Sequence, residues 1–238
     1  MRNGVLSTTV LVVVLTMAGC DEMPGYPRSG PPVRPDRVTD FHVLYNANCQ
    51  ACHGAHGQNG PAIDLANPEY EALVDDATLR RVIAEGMPGT QMPAWAQSAG
   101  GMLTDQQVDA LVAGMRREWA KPNAFAGATP PAYAQPEDGD AKRGQQAYES
   151  RCASCHETPA RQQVTSPVYL SLISDQALRT LIVAGRPDIH QPDWQHDTPN
   201  GGAGAPLSPQ DVTDIVTYLH SLRNPSVVSA APIPPAQQ

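Results

Sequence analysis

The sequence predicts an all-α protein of two tandem helical domains joined by a proline-rich linker. Three observations carry that prediction. Cys49-Gln-Ala-Cys52-His53 returns 103 residues later as Cys152-Ala-Ser-Cys155-His156, so the chain repeats itself. Leu103-Thr104-Asp105-Gln106-Gln107-Val108 parallels Leu207-Ser208-Pro209-Gln210-Asp211-Val212, each opening an apolar pattern of helical period. Between the repeats lies PNAFAGATPPAYAQPEDG (122–139), a segment rich in turn-forming residues.

The N-terminus reads as an export signal. Met-Arg-Asn precedes an apolar stretch from Val5 to Met17, and Met17-Ala18-Gly19 is a small-residue cleavage layout. The stretch is too short for a membrane span. Cys20 directly after Ala-Gly resembles the bacterial lipobox, which implies a signal peptide over 1–19 and a lipidated Cys20. Met17 stands where that pattern more often has leucine. Asp21 resembles the signal for retention in the inner membrane, so the resemblance places the protein, lipid-anchored, on the periplasmic side of the bacterial inner membrane. Two acyl chains anchor stably where one binds reversibly. Residues 20–35 form a Pro-rich tether, expected to be extended at about 3.1 Å per residue.

Residues 36–121 are expected to form the first domain. A short opening helix carries Tyr45 four residues before Cys49, and a middle helix lies near Asp76–Glu85. A loop with Gly86-Met87-Pro88 and Pro93-Ala94-Trp95 follows. The final helix has Thr104 as N-cap, and Val108, Leu111, Val112 and Met115 on one face. Residues 140–224 repeat this order with Tyr148, a middle helix near Ser174–Ala184, Gly185-Arg186-Pro187 and Pro192-Asp193-Trp194. The final helix there has Ser208 as N-cap and Pro209 in its first turn. The linker 122–139 is expected to behave as an extended spacer like the tether, and the proline-rich tail 225–238 as disordered.

The motif carries the chemistry. Two thiols spaced by two residues can each form a thioether to a haem vinyl group, and the adjacent histidine places its imidazole on the iron. Cys49, Cys52, Cys152 and Cys155 are therefore expected to hold two covalently bound haem c groups, with His53 and His156 as proximal ligands. A four-cysteine zinc site would bring the two pairs together, but each pair has its own histidine and its own downstream loop.

Both units resemble class I cytochrome c domains, and together they cover nearly all the chain between the linkers. That resemblance implies a distal methionine, for which Met92 is the candidate, with Met87 and Met102 as alternatives that fill space. It also implies a glycine where the first and last helices cross. Gly144 stands there in the second unit, but Phe41 in the first, so that crossing is expected to be wider or shifted. A proline whose carbonyl orients the proximal ring is implied as well, with Pro61 and Pro167 as candidates.

The halves differ at the distal side. The last methionine in the chain is Met115, so the second unit has none. Aligning Gly86 with Gly185 and Trp95 with Trp194 puts Gln191 at the place of Met92 and His190 beside it. His190 is the first candidate ligand, Gln191 the alternative, and an open iron the third outcome. His196 and His220 lie in a polar loop and near a helix end, where surface roles account for them. His42 and His56 carry no special signal.

The chain bears a net charge of -8, which disfavours polyanion partners and suits a basic redox partner. The expected function is electron relay between a quinol-oxidising complex or dehydrogenase and a downstream cytochrome or terminal oxidase of a respiratory chain, without catalysis. A dihaem peroxidase-like enzyme or a gas sensor working through an open second haem is the alternative.

Overall fold

In the computed structural model, residues 33–134, 138–158, 164–196 and 205–224 are described. They are helical, with two isolated bridges and no strand among the described residues. The signal, Cys20, most of the tether and the tail lie outside the described residues. Among those described, no helix is long and apolar enough to cross a membrane.

The first repeat contains α1 (Phe41–Asn48), α2 (Gln50–His53), α3 (Pro68–Leu73), α4 (Asp76–Glu85) and α5 (Asp105–Trp119). The second contains α6 (Ala141–Arg151), α7 (Ala153–His156), α8 (Pro167–Leu172), α9 (Asp175–Ala184) and α10 (Pro209–Ser221). Local chemistry sets the helix starts. Asp40, Asp75, Asp140 and Ser174 each accept a backbone N–H from the first turn of the helix that follows. Thr104 with Gln107 and Ser208 with Asp211 form reciprocal capping boxes. The short helices α3 and α8 are additions to the sequence reading. Each begins with proline at the first helical position, in Asn67-Pro68 or Ser166-Pro167, and the Asn67 side chain caps α3 while that of Ser166 makes no cap bond to α8.

Each repeat has its own core. Phe41, Leu44, Tyr45, Leu79, Val108 and Leu111 are buried in the first; Tyr148, Leu170, Leu178, Val212 and Ile215 are buried in the second. Helix crossing is solved differently in the two. A Cβ on Gly144 of α6 would sit 1.9 Å from the Asp214 carbonyl oxygen and 2.9 Å from Tyr218 Cβ of α10. In the first repeat the bare backbone lies on the other helix, where a Cβ on Gly114 of α5 would meet the Phe41 ring at 2.1 Å. Phe41 is thus accommodated by a glycine on the final helix.

The two repeats belong to one unit, Val38–Gln238. Leu73 at the end of α3 packs against both cores, and Ala184 of the second repeat is buried in the first core. The intervening segment departs from the expected spacer. Phe125 is buried in the second core and Tyr133 packs on the first. The Ala132 and Tyr133 carbonyls accept hydrogen bonds from Arg179 Nε and Gln176 Nε2, at 2.8 and 2.7 Å. Its aromatic residues supply apolar anchors that the proline count concealed.

Candidate haem-binding sites

Each CxxCH motif is a single helical turn begun by its own first cysteine. Cys49 and Cys152 end the opening helices and start α2 and α7, so each pair of thiols brackets a tight turn with the histidine at its close. Cys49 and Cys152 are half-buried, Cys52 and Cys155 exposed, and none of the four is in a disulfide among the described residues. Among the described residues no three or more His, Cys, Asp or Glu side chains converge on a metal-sized site, so the motifs do not merge into a zinc centre.

His53 is held as an iron ligand must be held. Its Nδ1 lies 2.8 Å from the Ile63 carbonyl oxygen, which can only accept, so Nδ1 carries the proton and Nε2 keeps its lone pair. Burial lowers the imidazole pKa, partly opposed by this hydrogen bond, so the ring is neutral at pH 7. The acceptor is Ile63, two residues beyond Pro61. Pro167 is displaced too: it opens α8 as Pro68 opens α3, and so aligns with Pro68. Tyr45 Oη donates to the Gly54 carbonyl at 2.8 Å, whereas Tyr148 Oη, nine residues before Glu157, donates to that carboxylate at 2.8 Å.

The distal loops share one frame. Gly86 and Gly185 end the middle helices with φ of +69° and +68°, a conformation that favours glycine. A Cβ on Gly86 would meet Met92 O, Pro93 C and Ala94 N; one on Gly185 would meet Gln191 O, Pro192 C and Asp193 N. The Met87 N–H donates to Met92 O at 3.0 Å, and the Arg186 N–H to Gln191 O at 2.9 Å. Trp95 N–H and Trp194 N–H return to Ile83 O and Val183 O. Gln191 therefore occupies the backbone place of Met92, as the alignment expects.

Side chains separate the two loops. Met92 is half-buried, and Thr90 Oγ1 braces its turn by accepting the Met92 N–H and donating to Met87 O. Of the other methionines, Met115 is core and Met102 is 70% exposed. Gln191 is half-buried, with its amide donating to Leu181 O at 2.7 Å. His190 is exposed, in a left-handed conformation with φ of +60°. His196 and His220 are exposed and rest on Asp193 and Asp175, each at 2.8 Å, which accounts for both as surface residues.

These surroundings fit haem. The thiol pairs and histidines supply the attachment set, and Met92 a half-buried thioether in a braced loop. Trp194 is buried, and its Nε1–H finds no partner among the described residues, a donor that a polar ligand edge would satisfy.

Comparison with known proteins agrees. Residues 36–113 match the family described as cytochrome c oxidase, cbb3-type, subunit III, and residues 141–223 match the cytochrome c family. Dihydro-heme d1 dehydrogenase of Pseudomonas aeruginosa is 44% identical over 73 residues, 30% of this chain; the chain spans only 13% of that relative's length. Among solved structures, the KustC0563 c-type cytochrome is 30% identical, with 34% of this chain and 99% of that one covered and a TM-score of 0.30. The Kuenenia stuttgartiensis reducing HAO-like protein complex Kustc0457/Kustc0458 is 18% identical, with 81% and 100% covered and a TM-score of 0.45. On the two family matches and the repeated helical sites, the chain belongs to the class I cytochromes c, as two such domains in tandem.

Proposed function

We propose that this chain is a membrane-anchored dihaem cytochrome c that relays electrons between a quinol-oxidising complex or periplasmic dehydrogenase and a downstream cytochrome or terminal oxidase. The observation that carries the reading is the asymmetry of two equivalent distal loops, Met92 in one and Gln191 with His190 in the other, within one unit. The likeness of residues 36–113 to subunit III of a cbb3-type oxidase supports a respiratory partner. Net charge of -8 suits a basic one. Anchoring through lipidated Cys20 rests on the signal-like residues before it.

Bound haem c supplies one-electron chemistry at its iron. The protein's part is to set two different environments. His53 and Met92 give the first site a histidine and thioether pair, which raises the potential. The second site has His156 and the 190–191 loop. Gln191 has committed its amide to Leu181, whereas the His190 imidazole carries no such bond among the described residues, so His190 is the ligand we assign after a small loop shift. With haem bound, that pairing would give the second site the lower of the two potentials.

Low-temperature EPR of the oxidised protein tests this. Two low-spin haems are expected, with His190→Ala turning the second high-spin. An unchanged spectrum in His190→Ala removes His190. A high-spin second haem in the wild type that binds cyanide or carbon monoxide rapidly replaces the relay with the peroxidase-like or sensor reading, which the methionine-free loop favours.

A further inference from the structure

The loop that closes the second distal site does not face solvent alone. Arg186 Nη1 donates to the Ala62 carbonyl at 3.3 Å and Nη2 approaches the Gly60 carbonyl at 3.5 Å, both in the segment after the first CxxCH motif. Arg186 also grips Asp188 of its own loop through Nε at 2.8 Å and Nη2 at 2.6 Å. Asp188 Oδ2 in turn accepts the Asn59 N–H at 3.1 Å. The two side chains are 11% and 2% exposed, so their charges act with little screening by solvent.

This contact lands on the support of an iron ligand. Ala62, which receives Arg186, is the residue before Ile63, whose carbonyl accepts the His53 Nδ1–H. At its other end Arg186 exchanges both backbone hydrogen bonds with Gln191, the counterpart of Met92. A continuous path thus runs from the distal loop of one site to the proximal histidine of the other. In the first repeat the corresponding residues are Met87 and Gly89, which carry no charge.

We propose that Arg186 and Asp188 are positioning residues through which the second domain sets the potential of the first haem. The cation on the Ala62 carbonyl favours the reduced first site, and the anion beside it opposes that effect. The inference rests on the reading that both motifs hold haem, which is checked separately by the mass of two covalent haems on the purified chain.

The experiment is a redox titration of the full-length holoprotein with Arg186→Gln, Arg186→Lys and Asp188→Asn, the first haem being identified by the signal that Met92→Ala alters. Arg186→Gln should lower the first haem's midpoint potential and Asp188→Asn raise it. Each should change the electron-exchange equilibrium between the haems by about threefold or more, in opposite senses, as expected for one partly screened charge. Arg186→Lys should stay near wild type. A mere clamp would respond to either loss in the same direction. Shifts of one sign in both variants, no shift in either, or an Arg186→Lys shift equal to that of Arg186→Gln would each overturn the proposal, while two intact covalent haems would leave the relay reading standing.

Discussion

Phe41 and Gly114 make the same inter-helix contact as Gly144 and Tyr218, with the partners exchanged. Phe41 and Gly144 each precede the first cysteine of their motif by eight residues, and Gly114 and Tyr218 each follow the N-cap of the final helix by ten. One glycine per crossing suffices for close approach, and it can lie on either helix.

The two glycines should therefore fail differently. In Gly144→Ala the new methyl meets the Asp214 backbone carbonyl, which cannot rotate away, and a loss of about 3 kcal/mol or more is expected in denaturant unfolding. In Gly114→Ala it meets the Phe41 ring, and about 1–3 kcal/mol is expected. Phe41→Ala costs several kcal/mol alone, but the pair should be less than additive in a double-mutant cycle. Additivity would show that the contact is not shared.

Gln191→Met rebuilds the distal side of the first site in the second. It gives up one hydrogen bond to Leu181, about 0.5–1.5 kcal/mol. The second haem should then rise in potential and show the visible charge-transfer absorption of methionine-ligated ferric haem at twice the wild-type amount. An unchanged band would place residue 191 off the iron.

Asp64 makes stability depend on pH. It is 2% exposed with Oδ1 unpartnered, and burial, followed by the nearby Asp188, pushes its pKa up to about 6 from 3.8 despite Arg186 and the Ala66 and Asn67 N–H groups. A carboxyl whose folded pKa is raised binds its proton more tightly when folded. Stability is therefore lost as pH rises from about 4 to about 6, and the penalty is complete above that. Asp64→Asn should raise Tm at pH 7.5 by an amount on the order of 1–3 kcal/mol in stability, with the gain gone near pH 3.5. A variant less stable at every pH would contradict this sign.

Asn67 serves two purposes that substitution can separate. Its Oδ1 caps α3 by accepting the Glu69 and Tyr70 N–H groups, and its Nδ2 donates to Ala184 O and Gly185 O of the second repeat at 2.9 and 3.2 Å. Asn67→Asp keeps the cap and sets a carboxylate against two carbonyls. It should split thermal unfolding into two transitions and enlarge the protein in small-angle scattering, whereas Asn67→Ser, another good cap, should cost about 1–2 kcal/mol without splitting. A single sharp transition in Asn67→Asp would deny the bridge its role.

Much of this was legible because it is local. The motifs, the capping boxes at Thr104 and Ser208, and the Gly86 to Gly185 alignment depend on residues a few places apart. Ile63 was missed because an acceptor carbonyl has no side-chain signature. Helices α3 and α8 had a readable signal in Asn67-Pro68 and Ser166-Pro167. Gly114 was readable only as the counterpart of Phe41. The Arg186 bridge spans more than 120 residues, and only the exchange of Met87 and Gly89 for charged residues hinted at it.

Ala184 belongs by sequence to the second repeat and by burial to the first, while Phe125 and Tyr133 of the connecting segment are divided between the two cores. A duplicated chain of this kind no longer comes apart into its ancestors. Cutting it near residue 122 would take Ala184 and Tyr133 from the first core and Leu73 from the second. Each repeat is thus completed by the other, so the placement of one CxxCH turn against the other is set when the chain folds.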